Sequence, residues 1–247
     1  MGPRVYIHEF IDIRGHNRAR YLQHMTANWV PIGRRERAQS CFGVWAVVGS
    51  TGRWPQVVNL WEYDGWDALG RNFDVELRGG GLQDPSLAEW WAAAADLRSG
   101  GFDRILVAPD WSPSVSDHEA SGGTNAAGYL HELIACAPGA SGEVLDAVRD
   151  AAVPGYRVRG LALVGAFRRA MADDDEVVAI WSFGDWESWA EFERTDAAAG
   201  WRRECGPLII ARERILLADA PLSPLRLGRQ PDESDRRPLN DCRATER

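Results

Sequence analysis

Hydrophobic and polar positions alternate over residues 4–13, with Val5, Ile7 and Ile11 on one face and Tyr6, His8, Phe10 and Asp12 on the other. That two-residue period predicts a strand. Arg14-Gly15-His16-Asn17 reads as a turn. Over 18–30 the period changes, and Tyr21, Leu22, Met25 and Trp29 gather on one face of a helix. Pro31 has no amide hydrogen and is expected to bend or end it, with a short helical piece to follow over 34–40. Further strands are predicted at 41–48 and 56–63, joined through Gly49-Ser50-Thr51-Gly52. A helix over 64–77, an inserted helix over 86–97 and a strand over 102–108 complete a β-α-β-β-α-β unit.

The same order returns downstream. Strands are predicted at 128–135, 158–168, 176–183 and 212–218, with helices at 141–152 and 185–194. Short stretches return with it. Tyr6-Ile7-His8-Glu9-Phe10 matches Tyr129-Leu130-His131-Glu132-Leu133. Val57-Val58-Asn59-Leu60-Trp61 matches Val177-Val178-Ala179-Ile180-Trp181, and Asp103-Arg104-Ile105-Leu106 matches Glu213-Arg214-Ile215-Leu216. Such matches in one order are the mark of an internal duplication. The expected organisation is a first repeat over 1–109, a Pro/Ser/Gly/Asp-rich linker over 110–127 and a second repeat over 128–220. The polar stretch 221–247 is expected to be a mostly disordered tail, clamped locally through Leu222, Leu225 and Leu227.

The β-α-β-β-α-β order is the ferredoxin-like motif, and the fold class is α+β. Within such folds, Val57-Val58-Asn59-Leu60-Trp61-Glu62-Tyr63-Asp64 followed by a helix resembles the NIPSNAP branch of the dimeric α/β-barrel superfamily. The likeness is best over 4–78 and weaker over 128–195. It implies two antiparallel sheets pairing into a barrel, here within one chain, since each sheet has one face under its own helices and needs cover for the other. Further homodimerisation remains open.

Bulk properties narrow the function. Of 247 residues, 45% are hydrophobic and 26% charged, and the net charge is −8, which disfavours nucleic acid as a partner. The apolar runs are too short to span a bilayer. Without a visible export signal, a cytoplasmic protein is expected. The four cysteines, Cys41, Cys136, Cys205 and Cys242, lack metal-ligand spacing, so no metal site and no cofactor are expected.

Alternation assigns candidate chemistry. We expect the aromatic and polar sets to face the barrel interior: Tyr6, His8 and Phe10 with Asn59, Trp61 and Tyr63 in the first repeat, and Tyr129 and His131 with Trp181 and Phe183 in the second. Trp45 joins them as a substrate-binding residue. His8 and His131 are the expected proton-transfer groups, because imidazole titrates near neutrality. Tyr6 and Tyr129 could donate to an oxyanion. Glu9 and Glu132 fall on the helix-facing side, where each would cap a helix or meet an arginine such as Arg104 or Arg214; were the faces inverted, they would be the catalytic acids. The expected function is a cofactor-free isomerase, cyclase or lyase acting on a hydrophobic aromatic or polyketide-like molecule. The superfamily resemblance implies two alternatives, a cofactor-independent monooxygenase and a haem enzyme using His24, and a non-enzymatic binding protein is a third.

Overall fold

The computed structural model describes residues 2–78, 81, 83–195 and 199–238. Chain order begins with β1 (Val5–Ile13), α1 (Arg18–Gln23), a π-helical turn over His24–Trp29 and α2 (Val30–Arg37). Then come β2 (Ser40–Val47), β3 (Gln56–Tyr63), α3 (Gly65–Glu76), α4 (Ala88–Leu97) and β4 (Arg98–Val107). A short helix α5 (Val115–Ala120) lies in the connection. The second half has β5 (Gly128–Cys136), α6 (Ser141–Ala147), a π turn over Val148–Ala152, α7 (Val153–Arg157), β6 (Leu161–Arg169), β7 (Glu176–Phe183), α8 (Trp186–Arg194), α9 (Ala199–Glu204) and β8 (Ile209–Asp219). A last helical turn is α10 (Pro224–Leu227).

The strands close into one barrel in the order β1-β3-β2-β8-β5-β7-β6-β4. Each half contributes four antiparallel strands, so two ferredoxin-like units make the barrel within one chain. The seams between halves are short. One joins Trp45–Val47 to Leu217–Asp219, and the other joins Leu106 and Val107 to Arg168 and Arg169.

Pro31 does not end its helix. The chain widens into a π turn just before it and continues to Arg37, and Pro154 likewise follows the π turn of the second half. A proline ring clashes with the carbonyl one turn earlier and supplies no N–H, and a wider turn relieves both.

Three apolar layers result. One lies between the first sheet and its helices, including Ile11, Tyr21, Met25, Trp29, Trp61 and Leu69. Its counterpart in the second half includes Leu130, Val144, Tyr156, Trp181 and Trp201. The third fills the barrel and includes Tyr6, Phe10, Trp45, Leu60, Phe167 and Ile180. Composition alone pointed to disorder after Ala220, but residues 221–238 run over the barrel as a strap. Leu225 is buried in the barrel-interior layer, and the Gln230 amide both accepts from Cys41 N (2.9 Å) and donates to Cys41 O (2.8 Å). Residues 239–247, with Cys242, lie outside the described residues.

Candidate functional site

Strand β1 is phased as its alternation predicts. Tyr6, His8 and Phe10 point into the barrel, and Val5 and Ile11 pack under the helices. The equivalent phase on β5 puts Tyr129 inside and Leu130 and Ile134 outside. Strands β3 and β7 correct the expectation. Residues directly opposite on antiparallel strands share a face. His8 stands opposite Leu60 and Phe10 opposite Val58, whereas Glu9 faces Asn59 and Ile7 faces Trp61. The barrel therefore receives Val58 and Leu60, while Asn59, Trp61 and Tyr63 lie on the helix side. In the second half Val178 and Ile180 are inside, and Ala179, Trp181 and Phe183 outside. The physical reason is pairing of polar needs. A buried indole N–H requires an acceptor, and the buried carboxyls of Glu9 and Glu132 are on that same face.

The barrel centre is packed solid. His8 and His131 sit ring to ring at 4.9 Å, both fully buried, with Phe10 against each. None of the four ring nitrogens has a hydrogen-bond partner. Burial, then the Arg104 guanidinium, pushes His131 down to about 3. His8 is held well below its ordinary value by burial, then by His131 and Arg104. Both rings are neutral at pH 7. Towards one end Phe10 stacks on Phe102 (4.8 Å), and Arg104 lies over both rings while pairing with Glu176. Phe102 is 49% exposed. Elsewhere in the barrel the tyrosines are held by carboxylates. Tyr6 OH donates to Glu62 (2.7 Å), and Tyr129 OH donates to Asp219 (2.5 Å). Burial raises both phenols further. Trp45 packs edge-on to Tyr129 inside the barrel.

The helix-facing side of the first sheet carries a different arrangement. Glu9 Oε2 accepts from Asn59 Nδ2 (2.8 Å) and Trp61 Nε1 (2.7 Å), and Asn59 Nδ2 also donates to Tyr21 OH (3.1 Å). Directly across from Glu9 on β4 is Asp103. Burial first, then Asp103, raises the Glu9 carboxyl to about 7, against the smaller downward pull of its donors and Arg98. Asp103 also walls a cavity of about 300 Å³, with Ile7, Ile105, Phe73, Met171 and the cationic residues Arg104 and Arg169. Ile7, Glu9, Asp103 and Ile105 share one face; Asp103 lines the cavity, and Glu9 stands beside it on β1. Glu9 keeps partial exposure.

The second half repeats only part of this. Glu132 is fully buried, takes Trp181 Nε1 (2.9 Å) and Tyr156 OH (3.3 Å), and pairs with Arg212 at 2.6 Å. The arginine that meets it is Arg212; Arg214 pairs with Glu193, and Arg104 with Glu176. Asp103, Tyr21, Tyr156 and Arg212 were not singled out from sequence. The motif match aligned Asp103 with Glu213, but strand register puts Asp103 at the place of Arg214, one residue on.

His24 does not fit a haem ligand. Its ring stacks on Trp90 at 4.4 Å, Nε2 bonds Trp90 O (3.3 Å) and Nδ1 meets Asn28 (3.5 Å). Both nitrogens are engaged and one ring face is covered. Among the described residues no cluster of three or more His, Cys, Asp or Glu side chains could hold a metal ion. No described helix is long and apolar enough to cross a membrane.

No family model and no curated protein matches the chain. Solved structures do. A candidate monooxygenase from Lactobacillus acidophilus superposes with a TM-score of 0.60 at 8% identity, over 88% of this chain and 94% of that one. One from Fusobacterium nucleatum subsp. nucleatum gives 0.57 at 9%, over 89% and 93%. The chain has the dimeric α/β-barrel fold. A candidate chlorite dismutase agrees, at TM-score 0.51 and 13% identity over 89% and 96%. At these identities the likeness concerns the fold alone.

Proposed function

We propose that this dimeric α/β barrel is a small-molecule enzyme that moves protons with its own side chains, and that Glu9 is the group that moves them. One observation carries the reading. Glu9 is a largely buried carboxyl with two N–H donors, no guanidinium paired to it among the described residues, and an open cavity beside its partner Asp103. An acid–base catalyst works best when its pKa lies near the working pH, and Glu9 is raised to about 7. Trp61 and Asn59 hold the carboxyl in place, and Tyr21 backs Asn59. The wall of Ile7, Ile105 and Phe73 suits the hydrophobic part of a substrate of the isomerase, cyclase or lyase kind, with the polar groups Asp103, Arg104 and Arg169 on the same cavity. The narrower resemblance to the NIPSNAP branch, and descent of the two halves from a tandem duplication, belong to this same reading.

Proton exchange tests it. An enolisable aromatic diketone, 1-phenylbutane-1,3-dione, is incubated with the protein in D2O, and loss of its α-proton is followed by NMR. Faster exchange with the wild type than with Glu9→Gln is expected. Equal rates would refute Glu9 as the base.

A second reading rests on the four unpartnered nitrogens of His8 and His131, since buried polar groups without partners are costly and cluster at working sites. It requires Phe10 and Phe102 to swing aside, and burial lowers the basicity of both rings. Exchange lost in the His8→Leu/His131→Leu double variant but kept in Glu9→Gln would select it. Oxygen consumption with an electron-rich phenol would favour monooxygenase chemistry instead. Exchange absent throughout would favour a binding protein, which a filled barrel also suits.

A further inference from the structure

The two seams that join the halves occupy equivalent places in the barrel. Val47 pairs with Leu217 at one, and Arg169 pairs with Leu106 at the other. Both ladders end alike, with Val48 N donating to Leu216 O (2.8 Å) and Ala170 N donating to Ile105 O (2.8 Å). Strand register makes Ile215, across from His131, the counterpart of Arg104, across from His8. Gln56, across from Asp12, is the counterpart of Glu176, across from Ala135.

The first seam is apolar and shut. Val47 and Ile215 are buried, and Gly52 of the β2–β3 connection lies against both, so that a Cβ there would stand 3.2 and 3.1 Å from their side chains. The second seam carries Arg169 and Arg104 at those two places and keeps the cavity of about 300 Å³. Since valine and isoleucine close the equivalent seam, barrel closure does not call for two guanidiniums here.

Their charge is only partly met within the protein. Arg104 pairs with Glu176. Arg169 reaches the same carboxylate at 3.6 Å, beyond hydrogen-bond length, and among the described residues its guanidinium makes no hydrogen bond. Burial, then Arg169, lowers the Arg104 guanidinium, while Glu213 pulls it the other way. Asp103 is the carboxyl on the Ile7 and Ile105 side of the cavity, and burial raises it above the usual carboxylate range. The N–H fork of Arg169 is the donor set left open. Beside it lies an apolar wall that includes Met171, which is 83% exposed.

We propose that this seam anchors the carboxylate of a small hydrophobic acid. The carboxylate takes the Arg169 fork, with Arg104 next to it, and the apolar body lies over Ile7, Ile105, Phe73 and Met171. Two carboxylate oxygens match two parallel N–H groups of a guanidinium. The cavity is at the small end of ligand sites, which suits one ring with a short chain. The inference rests on the reading of this cavity as the substrate site and narrows its substrate to organic acids.

4-Phenylbutanoate is the probe, titrated into the full-length protein at pH 7.5 and constant ionic strength. 4-Phenylbutanamide is the neutral control, and inorganic phosphate is an anion without an apolar body. Binding is read by calorimetry and by the shift of the Met171 methyl signal in protein labelled with methyl-13C methionine. The wild type is expected to bind the acid at least about tenfold more tightly than the amide, the usual worth of a charge-assisted bond. Arg169→Met is expected to erase that preference. Glu176→Gln, which removes the competing carboxylate, is expected to tighten acid binding severalfold and leave amide binding unchanged. Equal binding of acid and amide, phosphate bound as tightly as the acid, or an undiminished preference in Arg169→Met overturns the inference. Weaker acid binding by Glu176→Gln overturns it too. Proton exchange on the neutral diketone is measured on the same samples. Exchange that persists while acid binding fails rejects the anchor and leaves the proposed catalysis standing. Acid binding without exchange keeps the anchor and rejects the catalysis.

Discussion

Glu9 and Glu132 occupy matching positions on the two halves, and each accepts an indole N–H, from Trp61 and Trp181. Around Glu132 the chain adds a guanidinium, a phenol and full enclosure. Around Glu9 it adds an amide, a second carboxyl and an open cavity. The same carboxyl thereby meets a guanidinium in one half and a second carboxyl in the other. Burial by itself does not make a carboxyl reactive; the missing counter-charge does.

The sharpest way to break this contrast is Arg212→Met. It strands a fully buried carboxylate, and the expected loss is about 3–5 kcal/mol of unfolding free energy by urea titration. A loss below that of an ordinary surface substitution would mean that Glu132 is not held as an ion pair.

The second test is pH. Glu9 has a folded value of about 7 above the ordinary 4.5, so between these limits the native state holds a proton that the unfolded chain has released. Its contribution is present below pH 4.5 and is lost as pH rises through 7. Wild-type stability should therefore fall by about 1–3 kcal/mol from pH 4.5 to 7.5 on this account. Asp219, raised to about 6 by burial, adds a slope of the same sign. Glu9→Gln should remove the Glu9 share and leave a shallower profile. Identical profiles for wild type and variant would place Glu9 at its ordinary value.

The same reasoning reaches the barrel interior, where no ion pair is available to either histidine. His8→Leu should raise stability by about 1 kcal/mol, because it removes a donor and an acceptor that lack partners. A loss of several kcal/mol would mean that the imidazole makes interactions that its orphaned nitrogens do not reveal. The smallest effect is expected from Asp103→Arg. It should lower the Glu9 titration towards the ordinary range and add about 0.5 kcal/mol at pH 7.5, read by urea midpoints and by the carboxyl carbon chemical shift of Glu9.

Much of the scaffold was legible from periodicity. The order of the eight strands, the two β-α-β-β-α-β units and the inward phase of Tyr6, His8 and Phe10 all follow from alternation, whereas the short helices α5, α9 and α10 do not. The phase of β3 and β7 was not, because both faces of those strands are apolar and Trp61 or Trp181 could sit on either. The clue lay in complementarity, since a buried Glu and a buried Trp answer each other's needs on one face. The Glu9–Asp103 contact depended on a one-residue register between distant strands, which short motif matching set wrongly. The strap over 221–238 was hidden by its polar composition. It is held by a buried leucine, by the Gln230 amide on Cys41, by Asn28 on the Arg237 backbone and by Ser223 on Val44 N, and none of these leaves a periodic trace.

A barrel assembled from two identical polypeptides must repeat every residue about its axis. This one is encoded once from end to end, so Asp103 and Arg214 could be chosen independently. The two halves can therefore carry different charges at equivalent places, which a symmetric pair of chains cannot do.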